Sequence, residues 1–312
     1  DWWDFTNTNA EGGPIIESSW EAHCGRAPLY LDLDLYSPDE MQWIKDYLNR
    51  IGTEQADKIG LDVMKGGKFQ WSAARRNRMH IAGGGAGIWA VDKNCASNLP
   101  GLYSAGNSCA TMASGACYAG MGFGLNHAAV TGTRAGTTAA NFALKSDTLN
   151  ISGEEISSVV KKMCEPIERK GGFSSSWVMQ VLHGYTIPYF VFDIKHADRL
   201  QAALTMVEFL KTHIAPKIMA KDPHELRMAH ETKNIICVAE MSLRSSLFRT
   251  ESRGSHFREE YPRRNDTEWL AWIKIQERDG KMTLTKEPLP KKWWPDFNKS
   301  YEERYPVILP LE

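Results

Sequence analysis

Closely spaced cysteines are missing from this sequence. Its six cysteines, Cys24, Cys95, Cys109, Cys117, Cys164 and Cys237, include no Cys-x-x-Cys pair. That argues against a zinc site, an iron–sulfur cluster held by this chain alone, or a small secreted disulfide framework. No metal ligand set is expected, and the thiols suit a reducing, cytoplasmic compartment. Long apolar runs are missing too. None approaches the roughly 20 residues that cross a bilayer, so no transmembrane segment is expected. Nor does one sign of charge prevail: 37 Lys and Arg against 38 Asp and Glu leave a net charge of −1. Such a balance gives no pull toward nucleic acid or an anionic membrane surface. The chain opens Asp1-Trp2-Trp3-Asp4, with neither a Met nor a charged-then-apolar leader. Trp2, Trp3 and Phe5 have the character of residues from inside a fold, so residue 1 is expected to be a cut end. What is present is globular material, 42% hydrophobic and 24% charged, enough for one large core or two to three small ones.

Leucines at every second position from Leu29 to Leu35 have the period of a half-buried strand. Ser37-Pro38-Asp39-Glu40 supplies an N-cap, a first-turn proline and a capping glutamate. Met41, Ile44, Leu48 and Ile51 then predict a helix to about Arg50. Leu102 to Gly106 reads as a short buried parallel strand, followed by a small-residue loop from Asn107 to Gly124. An Ala-rich helix is expected from Leu125 to about Leu144. Beyond Asn150 the pattern becomes amphipathic helices. One opens at the Ser152 capping box and ends at Gly171-Gly172. A second follows Asp198 with a Leu200, Ala203, Leu204, Val207, Leu210 stripe, and a third runs from Asp222-Pro223 to about Phe248. A hairpin is expected around Asp279-Gly280, then an aromatic, Pro-rich tail that either wraps a neighbour or packs on the chain's own core.

A strand, a glycine-rich loop and a helix in succession suit a dinucleotide. Gly120, Gly122 and Gly124 permit close approach of a planar or anionic group, and amides at a helix start carry partial positive charge. A tight helix-packing loop of small residues is the other reading. Gly83 to Gly87 is not a Gly-x-Gly-x-x-Gly fingerprint, because it follows Met79-His80 instead of an apolar strand.

Four landmarks in order carry a resemblance. They are Tyr30-Leu31-Asp32-Leu33; Met79-His80-Ile81-Ala82-Gly83-Gly84; Pro100 to Gly106 with Thr131-Gly132-Thr133-Arg134-Ala135-Gly136; and Glu251 to Pro262. Together they resemble the flavoprotein superfamily of succinate dehydrogenase, fumarate reductase, L-aspartate oxidase and adenylylsulfate reductase. Gly87-Ile88-Trp89, His224-Glu225-Leu226 and Leu247-Phe248-Arg249 lean toward the adenylylsulfate reductase branch. The resemblance implies an α/β plus all-α chain: the end of an α+β capping domain (1–78), the C-terminal segment of an FAD-binding Rossmann-like domain (79–146), and a helical domain with an extended tail (147–312). The family's N-terminal pyrophosphate-binding part would then lie outside this chain.

By the same resemblance Gly84, Gly106, Asn107, Gly122, Phe123, Gly124 and Leu125 are expected to contact FAD. Asn107 stands where the family has an acid that accepts from a ribose hydroxyl, and its carbonyl still accepts. His80 matches the histidine that reaches substrate across the flavin, where an imidazole can donate or shuttle a proton; a structural histidine is the alternative. Arg78, with Arg75 and Arg76, either faces an anionic group or forms a solvated patch. The dicarboxylate enzymes place an arginine in the glycine-rich loop, where Tyr118 or Ala119 stands here. Tyrosine cannot make arginine's paired charged contact, which disfavours succinate and fumarate. Arg253, His256 and Arg258 are expected to be structural salt-bridge residues. The implied function is an FAD-dependent oxidoreductase passing hydride between flavin and a small polar substrate, with electrons exchanged with a ferredoxin-like iron–sulfur subunit. A degenerate, non-catalytic paralogue with a scaffold or assembly role is the alternative.

Overall fold

Two carboxylates and a proline set the first helix. In the computed structural model, which describes residues 19–50, 63–71, 86–110, 123–147, 151–254 and 256–305, Glu40 accepts from the Ser37 amide at 2.8 Å while Ser37 Oγ accepts from the Glu40 amide at 3.3 Å. This reciprocal capping box opens α1, Pro38–Arg50. The strand before it, β1 (Leu29–Asp32), is shorter than its leucine alternation predicts. Asp32 stops it by accepting from the Asp34 amide, turning Leu33–Leu35 into a 3-10 turn. β1 pairs antiparallel with β2, Lys68–Trp71. These elements belong to one of two compact units, Glu17–Arg76; the other comprises residues 1–16 and 77–312.

In the second unit, residues 86–110 form loops tied by single bridges, Ile88 with Cys109 and Ala96 with Tyr103. The buried parallel strand expected over Leu102–Gly106 is not formed. Leu102 is exposed, Tyr103 joins an antiparallel bridge, and Gly106–Ser108 closes into a 3-10 turn. A left-handed φ of +58° at Gly106 ends the extended run before it can build a ladder. α2 then spans Phe123–Lys145, as its alanine content predicts.

The helical part follows the predicted caps closely. Ser152 and Glu155 form the capping box of α3, Gly153–Glu168. α4 (Ser175–Thr186) and the single turn α5 (Tyr189–Phe192) follow. α6 (Ala197–Phe209) starts one residue before the expected Asp198 and runs on as a π-helical turn, Leu210–Ile214. Asp222 caps α7, Pro223–Phe248, by accepting from the Glu225 amide at 2.8 Å. Val178, Leu182, Leu200, Val207, Leu210 and Ile236 fill the core between α4, α6 and α7. Each such aliphatic side chain contributes about 1.5–3 kcal/mol through burial. The buried Glu240 is satisfied by Lys211 at 2.7 Å and Arg244 at 2.8 Å.

After α7, charge takes over from apolar packing. A two-residue parallel pair joins β3 (Ile194–Lys195) to β4 (Phe257–Arg258). Glu251, with no exposed surface, accepts from Arg249, from Arg253 at 2.8 and 2.9 Å, and from the Asn265 amide at 2.8 Å. Arg253 also reaches Asp266, which heads the single turn α8, Asp266–Trp269. The hairpin of β5 (Ala271–Arg278) and β6 (Lys281–Pro288) turns at Asp279 and Gly280, both at positive φ, the conformation of a tight type I′ connection. The tail ends in α9, Tyr301–Arg304, and returns to its own chain: Arg304 and Tyr305 bind the second Asp266 oxygen at 2.7 and 2.8 Å. Of the two tail arrangements expected, packing on the chain itself is the one formed through residue 305. Arg253, His256 and Arg258 are structural, as the sequence reading holds.

Among the described residues the sheets are three two-stranded pairs, so the chain is mixed helix and sheet but mostly helical. No described helix is long and apolar enough to cross a membrane.

Candidate functional site

The Gly106 turn and the start of α2 meet. Gly106 N–H donates to Thr131 Oγ1 at 2.9 Å, and that buried hydroxyl donates to the His127 carbonyl at 2.6 Å. Thr131 therefore couples the loop to the second turn of the helix. A Cβ on Gly106 would sit 3.4 Å from Ala128 Cβ, an ordinary van der Waals contact, so it is the left-handed φ of +58° that favours glycine at 106. Ala128 lies one turn beyond Gly124, about 6 Å along the axis at 1.5 Å per residue. Gly106 therefore meets α2 at Ala128 and Thr131, one to two turns beyond Gly124 and Leu125.

The opposite side of the loop is pinned to residues 87–88. Ile88 N–H donates to Ser108 O at 2.8 Å, and Ala110 N–H donates to Ile88 O at 3.0 Å. A Cβ on Gly87 would meet Ser108 O at 2.5 Å, closer than real atoms approach. Between these fastenings Asn107 is exposed. Ser104 lies two residues earlier, and its buried hydroxyl has no hydrogen-bond partner among the described residues. Leu125, in the first turn of α2, is 79% exposed. It is an exposed apolar side chain at the end of the helix that carries partial positive charge.

Of the other candidate residues, Arg78, His80, Gly84, Tyr118 and Gly122 lie outside the described residues. So do Arg75, Arg76 and Ala119. Phe123 is the first residue of α2. No group of His, Cys, Asp and Glu suited to a metal ion occurs among the described residues. Trp89 was singled out only for its place in a motif. It meets the Trp272 ring edge-on at 5.4 Å, with Lys274 Nζ 4.7 Å from its own ring centroid, and so ties the loop segment to the β5–β6 hairpin. The reading of the sequence overlooked Ser104 and Thr131 as supports of the site; their signal was a hydroxyl on each side of the Gly106 turn.

Residues 191–301 match the family model described as fumarate reductase flavoprotein C-term. Across a longer stretch, 251 residues covering 80% of this chain are 29% identical to an uncharacterized FAD-dependent oxidoreductase of Methanocaldococcus jannaschii, of which they cover 42%. The succinate dehydrogenase flavoprotein subunit of Bacillus subtilis is 27% identical over 59% of this chain and 32% of its own length. The chain therefore spans less than half the length of these relatives. In fold it matches half of a chain in a quinol–fumarate reductase structure with menaquinol, with a TM-score of 0.70 over 91% of this chain at 19% identity. Mycobacterium smegmatis Sdh1 in complex with UQ1 matches with a TM-score of 0.66 over the same share, at 20% identity. The fold is that of the corresponding half of these flavoprotein chains. The sequence relationships support the wider superfamily.

Proposed function

We propose that this chain forms the flavin-facing edge and C-terminal helical part of an FAD-dependent oxidoreductase that acts on a small polar substrate. FAD is the cofactor that the relationship to flavoprotein oxidoreductases supports. The single observation carrying the reading is the joint between the Gly106 turn and α2, where Gly106 meets Ala128 and Thr131, one to two turns beyond Gly124 and Leu125, and the adjoining Asn107 is exposed. A Ser104 hydroxyl without a partner among the described residues and an exposed Leu125 fit a flat, partly polar cofactor. We assign residues 1–78 to the end of a capping domain, 79–146 to the cofactor domain and 147–312 to a helical domain.

When bound, the flavin supplies two-electron redox chemistry. The chain's own residues orient and polarise. Asn107 accepts from a ribose hydroxyl through its side-chain carbonyl. Gly84, Gly122, Phe123, Gly124 and Leu125 would hold the flavin, and the positive end of α2 would favour negative charge on it. His80 holds or moves a proton at the substrate, and Arg78 and Tyr118 bind its polar groups. Tyr118 or Ala119 in place of a loop arginine disfavours succinate and fumarate. Within the superfamily we favour a place near adenylylsulfate reductase, with electrons exchanged with a ferredoxin-like iron–sulfur subunit in the cytoplasm.

Visible absorption of the purified protein tests this reading. A flavin spectrum is expected; a colourless protein that takes up no added FAD overturns it and favours a scaffold role, the reading suggested by Asn107 in place of an acid. With flavin bound, His80→Ala is expected to slow reoxidation of the photoreduced protein by substrate about 10²-fold or more; unchanged reoxidation removes His80 from the mechanism.

A further inference from the structure

Cys95 and Cys109 serve neither the cofactor edge nor the helical core. Both are buried, and with Ala135 of α2 they form a small separate cluster. The two cysteines pack into that one cluster, where Cys109 is the neighbouring thiol that acts on Cys95. The backbone fixes this meeting from two sides: Cys109 bridges to Ile88, and the Cys95 carbonyl accepts from the Ser104 amide at 3.1 Å. Cys95 takes a left-handed φ of +62°, an uncommon conformation for a residue with a side chain. We propose that Cys95 and Cys109 are a redox-active thiol pair that closes to an intrachain disulfide with low-molecular-weight disulfides as oxidant.

Access is through one turn. Val91, Asp92 and Lys93 are exposed in the turn leading into Cys95, whose amide donates to the Asp92 carbonyl at 3.2 Å. The turn is held by Asp92 Oδ1, which accepts from the Asn94 amide at 2.8 Å and the Ala96 amide at 3.1 Å. Burial holds the Cys95 thiol above its ordinary pKa, and the neighbouring Cys109 adds to this. The closed pair therefore holds little thiolate, and the reaction waits for the turn to open. The opened Cys95 thiolate attacks the oxidant, releasing one thiol and leaving a mixed disulfide on Cys95. Cys109 then attacks the Cys95 sulfur and expels the second thiol. The pair gives up two electrons and two protons, and one small disulfide becomes two thiols. The new bond joins the Asp92 turn to the loop carrying Gly106 and Asn107, so oxidation stiffens the proposed cofactor edge.

The test is oxidation of the protein with oxidised glutathione, alkylation, and peptide mapping without reduction. The expected product is a linked Cys95–Cys109 peptide pair, with a higher thermal midpoint for the oxidised protein. Asp92→Ala is expected to speed its formation about fivefold, the effect of losing one hydrogen bond of ordinary strength. Asp92→Asn, which keeps an acceptor oxygen, should react at the original rate. A stable glutathione adduct on Cys95, a dominant bond from Cys109 to Cys117, or no linked peptide would overturn the proposal. A rate unchanged in Asp92→Ala would overturn the gating step.

Discussion

Residues 151–305 and residues 86–147 solve the packing problem in opposite ways. The former bury their own apolar faces: the stripe on α6 is covered by α4 and α7, and the segment after α7 is locked by ion pairs with no solvent-facing acid at the centre. The latter leave α2 largely uncovered. Of its residues with described burial only Thr131 and Ala135 are buried, while Leu125, Val130, Phe142 and Leu144 are exposed. The comparison teaches that the helical part carries its stability within itself. α2 is held to residues 86–110 by the Thr131 hydroxyl, by Ala135 in the cysteine cluster and by Phe142 against Tyr103.

The largest effect that could break this contrast is at Glu251. Glu251→Ala leaves Arg249 and Arg253 without their shared carboxylate, and a loss of about 3–5 kcal/mol is expected because removing one partner strands buried charge. Urea denaturation measures it; a loss below about 1 kcal/mol, the range of a surface pair, would show the network to be incidental. Leu210→Ala in the helical core should cost about 2–5 kcal/mol through transfer and cavity terms, read from the same denaturation curves. At the other extreme, Leu144→Ala on exposed α2 should stay within about 0.5 kcal/mol. A larger loss would mean that α2 is covered by something the described residues do not include.

Acid distinguishes the regions as well. Burial, with Lys195 and Arg249 next, holds His256 well below the ordinary imidazole value of 6.5. Its Nε2 lies 3.3 Å from the Arg249 carbonyl. The unfolded chain takes up a proton below 6.5 that the folded chain refuses, so stability is full above that pH and falls as pH drops. A slope approaching 1.4 kcal/mol per pH unit is expected from this one group, and His256→Asn should remove it. Glu260 acts in a separate window. Burial raises its carboxyl, but the bonds from Arg258 and the Ala197 amide outweigh that and leave it at about 2. Its contribution is present above the ordinary value of 4.5 and is lost as pH falls through about 2. Denaturation midpoints across pH 7 to 3 would reveal whether the two windows exist.

Local chemistry was legible in the sequence, and distant pairing was not. Ser37, Ser152 and Asp222 announced their helices because a cap and its glutamate lie three residues apart, and Asp279-Gly280 announced its turn. α4 escaped notice although Ser174 caps it, because its Val178 and Leu182 sit among glycines and aromatics that blur the period. The Leu102–Gly106 strand was misread: an apolar pentapeptide has no period to tell a strand from a loop, and the positive φ at Gly106 decided against it. Arg253 was visible as a structural residue from its neighbours. Its partner Asp266, and the grip of Arg304 and Tyr305 on that same acid, cross too much sequence to be read locally. The hydrogen bond from Gly106 to Thr131 was not legible either, because 25 residues separate the two.

Amide hydrogen exchange with and without FAD tests the central claim most directly. The account predicts that flavin slows exchange about tenfold or more at Asn107, Gly124 and Leu125, as expected where a ligand closes off the local opening that permits exchange, while α4, α6 and α7 stay unchanged. Protection confined to residues 151–305, with none at the Gly106 turn or the start of α2, would contradict it.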